Sequence, residues 1–236
     1  MPLNKVKPGS NMYSWVTHTH NHLAGECPHR CSYCYVQDIS RRFPALHDRY
    51  SGPPRLVEKE LLVNYGTGKT IFVENCGDLF AEGIDEDWIG DILYHCRHSP
   101  DNTYVFQTKN PGVVSEFLSL FPPKYLVGTT AETNRNTVAF NRAQSPWLRM
   151  NSLHEFRIDP GRKFLTIEPI MKFDLDEFVT GILWADVGKI FIGADSKNHG
   201  LPEPTGPEIQ ELIKALLAAG KTVILKSNLC RLYKGE

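Results

Sequence analysis

The sequence predicts an α/β fold built on parallel strands, and three observations carry that prediction. Short β-branched and aromatic runs recur along the chain, with helix-like segments between them. Several runs are apolar almost throughout, as strands covered on both faces are. Nearly every run ends in polar residues, and the carboxyl ends of parallel strands are where ligand sites form. Strand–helix alternation alone allows a doubly wound sheet or a barrel. The succession of polar strand ends favours a barrel, closed or partial, in which those ends converge.

The expected strands are 13–19 (YSWVTHT), 70–76 (TIFVENC), 103–108 (TYVFQT), 125–130 (YLVGTT), 164–169 (FLTIEP), 189–194 (KIFIGA) and 222–227 (TVILKS). Amphipathic segments 85–98 and 206–220 are expected helices; the second carries Leu212, Ile213, Leu216 and Leu217 on one face and ends at Gly220. Segment 110–121 places Pro111 in a first helical turn. No internal repeat or low-complexity tract interrupts the pattern. The 236 residues fit one domain, 13–236, behind a polar, flexible N-terminal tail, 1–12.

Composition narrows the function classes. A formal net charge of −1 gives no global case for nucleic acid or an acidic membrane. No apolar run approaches the ~18 residues that span a bilayer. The N-terminus MPLNKVKPGSN does not read as a signal peptide, so a cytoplasmic location without membrane partners is expected.

The stretch GECPHRCSYCYVQD spaces Cys27, Cys31 and Cys34 as Cys-x3-Cys-x2-Cys, whereas Cys76, Cys96 and Cys230 are scattered. A disulfide framework would spread its cysteines through a shorter secreted chain. A structural Cys3His zinc site would add His29 or one of His18, His20 and His22, making the chain a zinc-stabilised binding module for nucleic acid or protein. Such sites usually come as two separated ligand pairs, and no second pair exists here. The other reading is a [4Fe–4S] cluster on three thiolates, with one iron open to a small molecule.

With Tyr33 just before the last cysteine, Cys27, Cys31 and Cys34 match the signature of the radical S-adenosylmethionine superfamily, which this loop resembles. The resemblance implies a partial (β/α)6 TIM-like barrel of parallel strands, the radical SAM core, with the thiol loop after the first strand. It implies a [4Fe–4S] cluster whose open iron is chelated by S-adenosyl-L-methionine, and reductive cleavage to a 5′-deoxyadenosyl radical that abstracts hydrogen from a substrate. It also implies a one-electron donor of the flavodoxin or ferredoxin type and Tyr33 lying against the adenine. The segments FVENCGDLF, YVFQTKNP, VGTTAETN, LTIEPI and ILKSN are most similar to a phage- and prophage-associated branch. The loop ending Tyr-Cys-Tyr is similar, more distantly, to that of the spore photoproduct lyases.

The same resemblance nominates a cosubstrate pocket at the strand ends. Glu74, Asn75 and Asp78 are candidate acceptors for the methionyl ammonium, with Gly77 permitting close backbone approach; the familiar Gly-Gly-Glu pattern is absent, and each residue is equally suited to capping a helix. Thr129, Thr130 and Glu132 are candidates for the ribose hydroxyls or the carboxylate. Glu168 ends an apolar strand, where a carboxylate needs a ligand or an ion pair such as Lys109 or Lys226. Gly193 opens the backbone toward the adenine edge.

Substrate chemistry rests on fewer residues. His18, His20 and His22 alternate, so they share a face if the strand continues, and that face is expected at the barrel mouth, for substrate, proton relay, cluster support or a metal. Ordinary hydrogen-bonded histidines are the plainer alternative. Cys76 and Cys230 follow strands and are candidate thiols for returning a hydrogen atom; the plainer role is apolar packing, which is expected of Cys96. Basic segments 41–59 and 134–163, interleaved with Phe43, Tyr50 and Trp147, make nucleic acid or a nucleotide the leading substrate class.

Overall fold

The structure, a computed structural model, describes residues 3–137, 140 and 142–234. The first part of the chain gives β1 (Asn4–Lys5), β2 (His18–His20), β3 (Leu23–Ala24), α1 (Tyr35–Arg42), α2 (Pro44–Tyr50) and β4 (Arg55–Leu56). Strands and helices then alternate: β5 (Thr70–Val73), α3 (Glu86–Arg97), β6 (Thr103–Gln107), β7 (Tyr125–Thr130), α4 (Pro146–Glu155) and β8 (Lys163–Ile167). The last are α5 (Leu175–Trp184), β9 (Lys189–Ile192), α6 (Gly206–Ala218) and β10 (Thr222–Leu225).

One sheet of eight strands runs β1-β2-β5-β6-β7-β8-β9-β10, and β3 pairs with β4. From β2 onward every pairing in the large sheet is parallel; β1 lies antiparallel on β2, with Asn4 opposite Thr19. A doubly wound sheet reverses its strand order part-way. This one never does, which excludes that alternative. β1 and β10 stay at opposite edges, so the wall is a partial barrel that does not close.

The pleat sorts the apolar side chains into two cores. Ile71, Val73, Tyr104, Phe106, Leu165, Ile167, Ile190 and Ile192 face outward, packed with Ile89, Ile92 and Leu93 of α3, Phe178 and Ile182 of α5, and Leu212 and Leu216 of α6. Phe72, Val105, Phe164 and Phe191 face inward and surround Tyr13 and Val16. Each such fully buried side chain stabilises the fold by about 1.5–3 kcal/mol.

Three expectations of sequence are revised. The first strand is His18–His20, not 13–19: residues 13–17 instead turn beneath the barrel, where the Tyr13 ring lies 4.6 Å from Phe191 and stacks on Trp15 at 5.3 Å. Segment 110–121 forms a 3-10 helix, Pro111–Leu120, rather than an α-helix. In the segment read as a flexible tail, β1 joins the sheet edge and Asn11 reaches Glu168 at 2.7 Å.

The excursion from β2 to β5 is folded back tightly. Gly25 has φ +90°, and a Cβ there would stand 2.1 Å from the Pro53 carbonyl oxygen. Only glycine permits that approach, which brings the start of the thiol loop against Pro53 and Pro54.

Candidate active site at the strand ends

Each parallel strand delivers a polar side chain to one cavity of about 1080 Å³: Thr19, Asn75, Gln107, Thr130, Glu168, Asp195 and Lys226 in strand order. That volume is at the upper end of small-molecule sites, which run ~300–1,000 Å³. Its floor is the inner aromatic core, where the Tyr13 hydroxyl donates to Gln107 Oε1 at 2.6 Å and meets Thr166 Oγ1 at 2.5 Å. Burial pushes that phenol far above its ordinary pKa.

The thiol loop forms one wall, and Cys27, Cys31 and Cys34 all line the cavity. Two successive turns bring them there, closed by Arg30 N to Cys27 O at 3.2 Å and Cys34 N to Cys31 O at 3.1 Å. Cys34 is the N-cap of α1. Burial pushes the Cys27 thiol up to about 12, and the charges of Asp78 and the other two cysteines add to the effect. The thiols therefore feel one another, yet they are not packed as ligands of one ion. Among the described residues, the only set of three or more His, Cys, Asp or Glu ligand atoms within 4.8 Å of one another is His20, His22 and His95. A tetrahedral zinc with bonds of about 2.3 Å holds its sulfurs only ~3.8 Å apart.

Two buried carboxylates fasten this loop to the barrel. Asp78 Oδ2 accepts from His29 Nε2 at 2.8 Å and from the Lys109 amide at 2.7 Å, and Oδ1 accepts from the Phe80 amide at 3.0 Å. Burial pushes Asp78 up, but His29 and these donors outweigh it and hold the carboxyl below its usual range. Glu132 is fully buried and accepts from the Tyr33 hydroxyl at 2.7 Å, Thr130 Oγ1 at 2.7 Å and Arg149 Nη2 at 2.8 Å, with Lys109 Nζ at 3.3 Å. Desolvation raises its pKa; Arg149 and Lys109 pull it well below the ordinary glutamate value.

The family described as "Protein of unknown function (DUF5131)" matches residues 10–196, a span that includes the thiol loop and the strand ends through β9. The chain belongs to that family. No curated protein matches the DUF5131 chain. Solved structures of spore photoproduct lyase share its fold. One complexed with a dinucleoside spore photoproduct is 13% identical, with a TM-score of 0.53 over 87% of this chain and 62% of that one. A variant with one cysteine replaced by alanine is 11% identical, with a TM-score of 0.63 over 95% of this chain and 82% of that one. A variant with bound AdoMet and the dinucleoside is 13% identical, with a TM-score of 0.52 over 91% of this chain and 66% of that one. The DUF5131 chain thus spans about three fifths of the first of these structures.

The sequence-nominated residues fall into two groups. Tyr33, Glu74, Asn75, Gly77, Asp78, Thr130, Glu168 and Cys76 line the cavity with the three cysteines, although the Glu74 carboxylate itself is turned away. Glu168 is held by Asn11 Nδ2 at 2.7 Å, by Asn228 Nδ2 at 2.6 Å and by Lys226, the second of its two anticipated ion-pair partners. Gly193 lies behind it: a Cβ there would stand 2.6 Å from Glu168 Oε1, so the glycine makes room for the carboxylate. Cys76 Sγ is 3.7 Å from the Tyr35 hydroxyl, and its amide donates to Asn21 Oδ1 at 2.8 Å.

The others point elsewhere. Thr129 Oγ1 donates to Thr108 O at 2.6 Å inside the wall, and Cys230 is exposed in the 3-10 turn Ser227–Arg231, outside the cavity. The Glu74 carboxylate faces the chain after β2, accepting from the His22 and Leu23 amides at 2.5 and 3.2 Å; burial pushes it up to about 7. Because Thr19 lines the cavity, the pleat turns His18 and His20 to the opposite face of β2. His18 meets Thr17 Oγ1 at 2.8 Å, while His20 and His22 are buried outside the barrel rather than at its mouth. Cys96 is buried in α3 as a packing residue.

Lys109, Arg149, Asn11 and Asn228 were not singled out as site residues. Arg149 has no local signal, because its partner Glu132 lies across the β7–α4 connection. Asn228 sits in KSN, a polar strand end of the kind that flagged its neighbours.

Proposed function

We propose that this chain is a radical S-adenosylmethionine enzyme, in which Cys27, Cys31 and Cys34 hold a [4Fe–4S] cluster. The observation that carries the reading is three thiols on one loop, spaced Cys-x3-Cys-x2-Cys and all opening into a strand-end cavity. AdoMet bound in one fold neighbour supports it. When bound, the cluster supplies one electron to the sulfonium of S-adenosylmethionine, giving methionine and a 5′-deoxyadenosyl radical that takes hydrogen from the substrate.

The chain's own residues bind and exclude water. Asn11 Oδ1 and Asn228 Oδ1 are buried without a protein partner, two acceptors beside Glu168 suited to a ligand's hydroxyl or ammonium donors. Glu168 with these amides is assigned to the ribose, Thr130 and Lys109 to the carboxylate, Asn75 to the methionyl ammonium, and Tyr33 to the adenine face. The sealed aromatic floor and the Tyr33–Glu132 tie keep the reacting centre from solvent. Cys76, beside Tyr35, is the candidate thiol for returning hydrogen.

Nucleic acid or a nucleotide is the proposed substrate class. Arg41 and Lys197 stand on the cavity rim with Tyr35 and Tyr50, a basic and aromatic lip suited to phosphates and bases, and dinucleosides occupy fold neighbours. A flavodoxin or ferredoxin is the proposed electron donor. Anaerobically reconstituted protein should be brown, absorb near ~400 nm and carry about four irons. With dithionite and S-adenosylmethionine it should release 5′-deoxyadenosine, and Cys27→Ala should abolish that product. Deuterium passing from labelled oligonucleotides into 5′-deoxyadenosine would identify the substrate class. A colourless zinc protein, or methylthioadenosine or S-adenosylhomocysteine as sole product, would overturn the reading.

A further inference from the structure

Outside the barrel, on the face of β2 opposite the cavity, four side chains from three segments converge. His20 Nδ1 lies 2.8 Å from the Tyr65 hydroxyl, which lies 2.9 Å from His22 Nε2, which lies 2.9 Å from His95 Nδ1. His20, His22 and Tyr65 are at most 2% exposed, and His95 reaches in from α3.

The outward nitrogens decide what the inward ones are. His20 Nε2 faces Glu60 Oε2 at 3.1 Å, His22 Nδ1 faces Glu74 Oε1 at 2.8 Å, and His95 Nε2 faces the Val63 carbonyl at 2.9 Å. A carbonyl only accepts, and so does an ionised carboxylate. His20 and His95 therefore carry the N–H on their outward nitrogens, and so does His22 when Glu74 is ionised; the inward nitrogen of each neutral ring then presents a lone pair. Three lone pairs then meet with one phenol hydrogen to share, and two of them face each other at 2.9 Å. Protonating all three rings would crowd three positive charges within 4.8 Å in a buried site. A cation between the nitrogens resolves the conflict.

We propose that His20, His22 and His95, with the Tyr65 oxygen as fourth donor, bind a divalent transition-metal ion of the zinc type. Imidazole is the usual ligand for such ions, and tetrahedral zinc with bonds of ~2.0–2.1 Å spaces its donors about 3.3 Å apart. Three of the six donor separations, at 2.8 and 2.9 Å, need open by only a few tenths of an ångström, and the histidine ligand atoms all lie within 4.8 Å of one another. Each histidine already has the outer partner that metal ligands keep, a carboxylate or a backbone carbonyl. Four protein donors leave no open position, so the ion is structural. It fastens β2, which precedes the thiol loop, to the segment holding Tyr65 and to α3.

The test keeps this site apart from the thiols. The full chain carrying Cys27→Ser, Cys31→Ser and Cys34→Ser, stripped with a chelator, is titrated with zinc or cobalt(II). About one equivalent should bind and raise the melting temperature, and His95→Gln on that background should weaken binding at least tenfold. Cobalt(II) in the otherwise wild-type chain at one equivalent should give visible bands without sulfur-to-metal charge transfer, which serves if the triple variant folds poorly. The proposal is overturned if the folded chain binds no zinc or cobalt, if His95→Gln binds unchanged, or if the first equivalent shows thiolate charge transfer.

Discussion

Replacing Glu132 by Gln should be among the most damaging conservative changes in this chain. Two cations converge on that carboxylate: Arg149, fully buried at 2.8 Å, and Lys109 at 3.3 Å. Removing one partner of a buried pair leaves an uncompensated charge and costs about 3–5 kcal/mol, equivalent in a chain of this length to a fall of roughly 6–20 °C in melting temperature. Arg149→Met should cost less, about 1–3 kcal/mol, because Glu132 keeps Lys109, Tyr33 and Thr130. The double variant should be more stable than the sum of the singles predicts, by about 1 kcal/mol or more. Urea denaturation of the four proteins measures all three quantities. The sign of the pH dependence also follows. Since the folded carboxyl titrates below the unfolded value of 4.5, its stabilisation is fully present above that pH and is lost as the pH falls below it. The gap between wild type and Glu132→Gln should therefore narrow in acid. Strict additivity, or a costlier Arg149→Met, would refute the reasoning.

Gly193→Ala should push Glu168 aside, since the new Cβ would lie 2.6 Å from Oε1 and 2.9 Å from Asn228 Oδ1. Equilibrium dialysis should show S-adenosylmethionine affinity falling at least tenfold while the far-ultraviolet circular dichroism is unchanged; unaltered affinity would remove Glu168 from the site. Asp78→Asn should loosen the tie between His29 and the Lys109 amide, so that iron content after reconstitution falls and protease cleavage within the thiol loop quickens. Wild-type iron content and proteolysis would show that the loop holds its shape without that tie.

The barrel was legible because its signals are local. Apolar runs with polar ends give parallel strands and their business end, and the spacing of Cys27, Cys31 and Cys34 announces a metal loop by itself. What sequence left open depends on register. The alternation of His18, His20 and His22 says they share a face, but not which one; that parity is set by pairing β2 with β5, where His18 stands opposite Ile71 and His20 opposite Val73, both outward-facing. Residues 13–17 carry strand-like composition, yet Tyr13 gains more as a plug among Phe72, Phe164 and Phe191 than as an edge strand. The Glu132–Arg149 pair was invisible because Arg149 sits in a segment whose basic residues suggested a nucleic-acid face. One of them is entirely buried.

The plug under the barrel has a consequence for traffic. Among the described residues, Tyr13 and its aromatic neighbours fill the bottom of the barrel, so a guest arrives and departs above them. Whatever rests deepest must come in first and go out last. A compulsory sequence of loading is thus written into the architecture, and it would survive any change of guest.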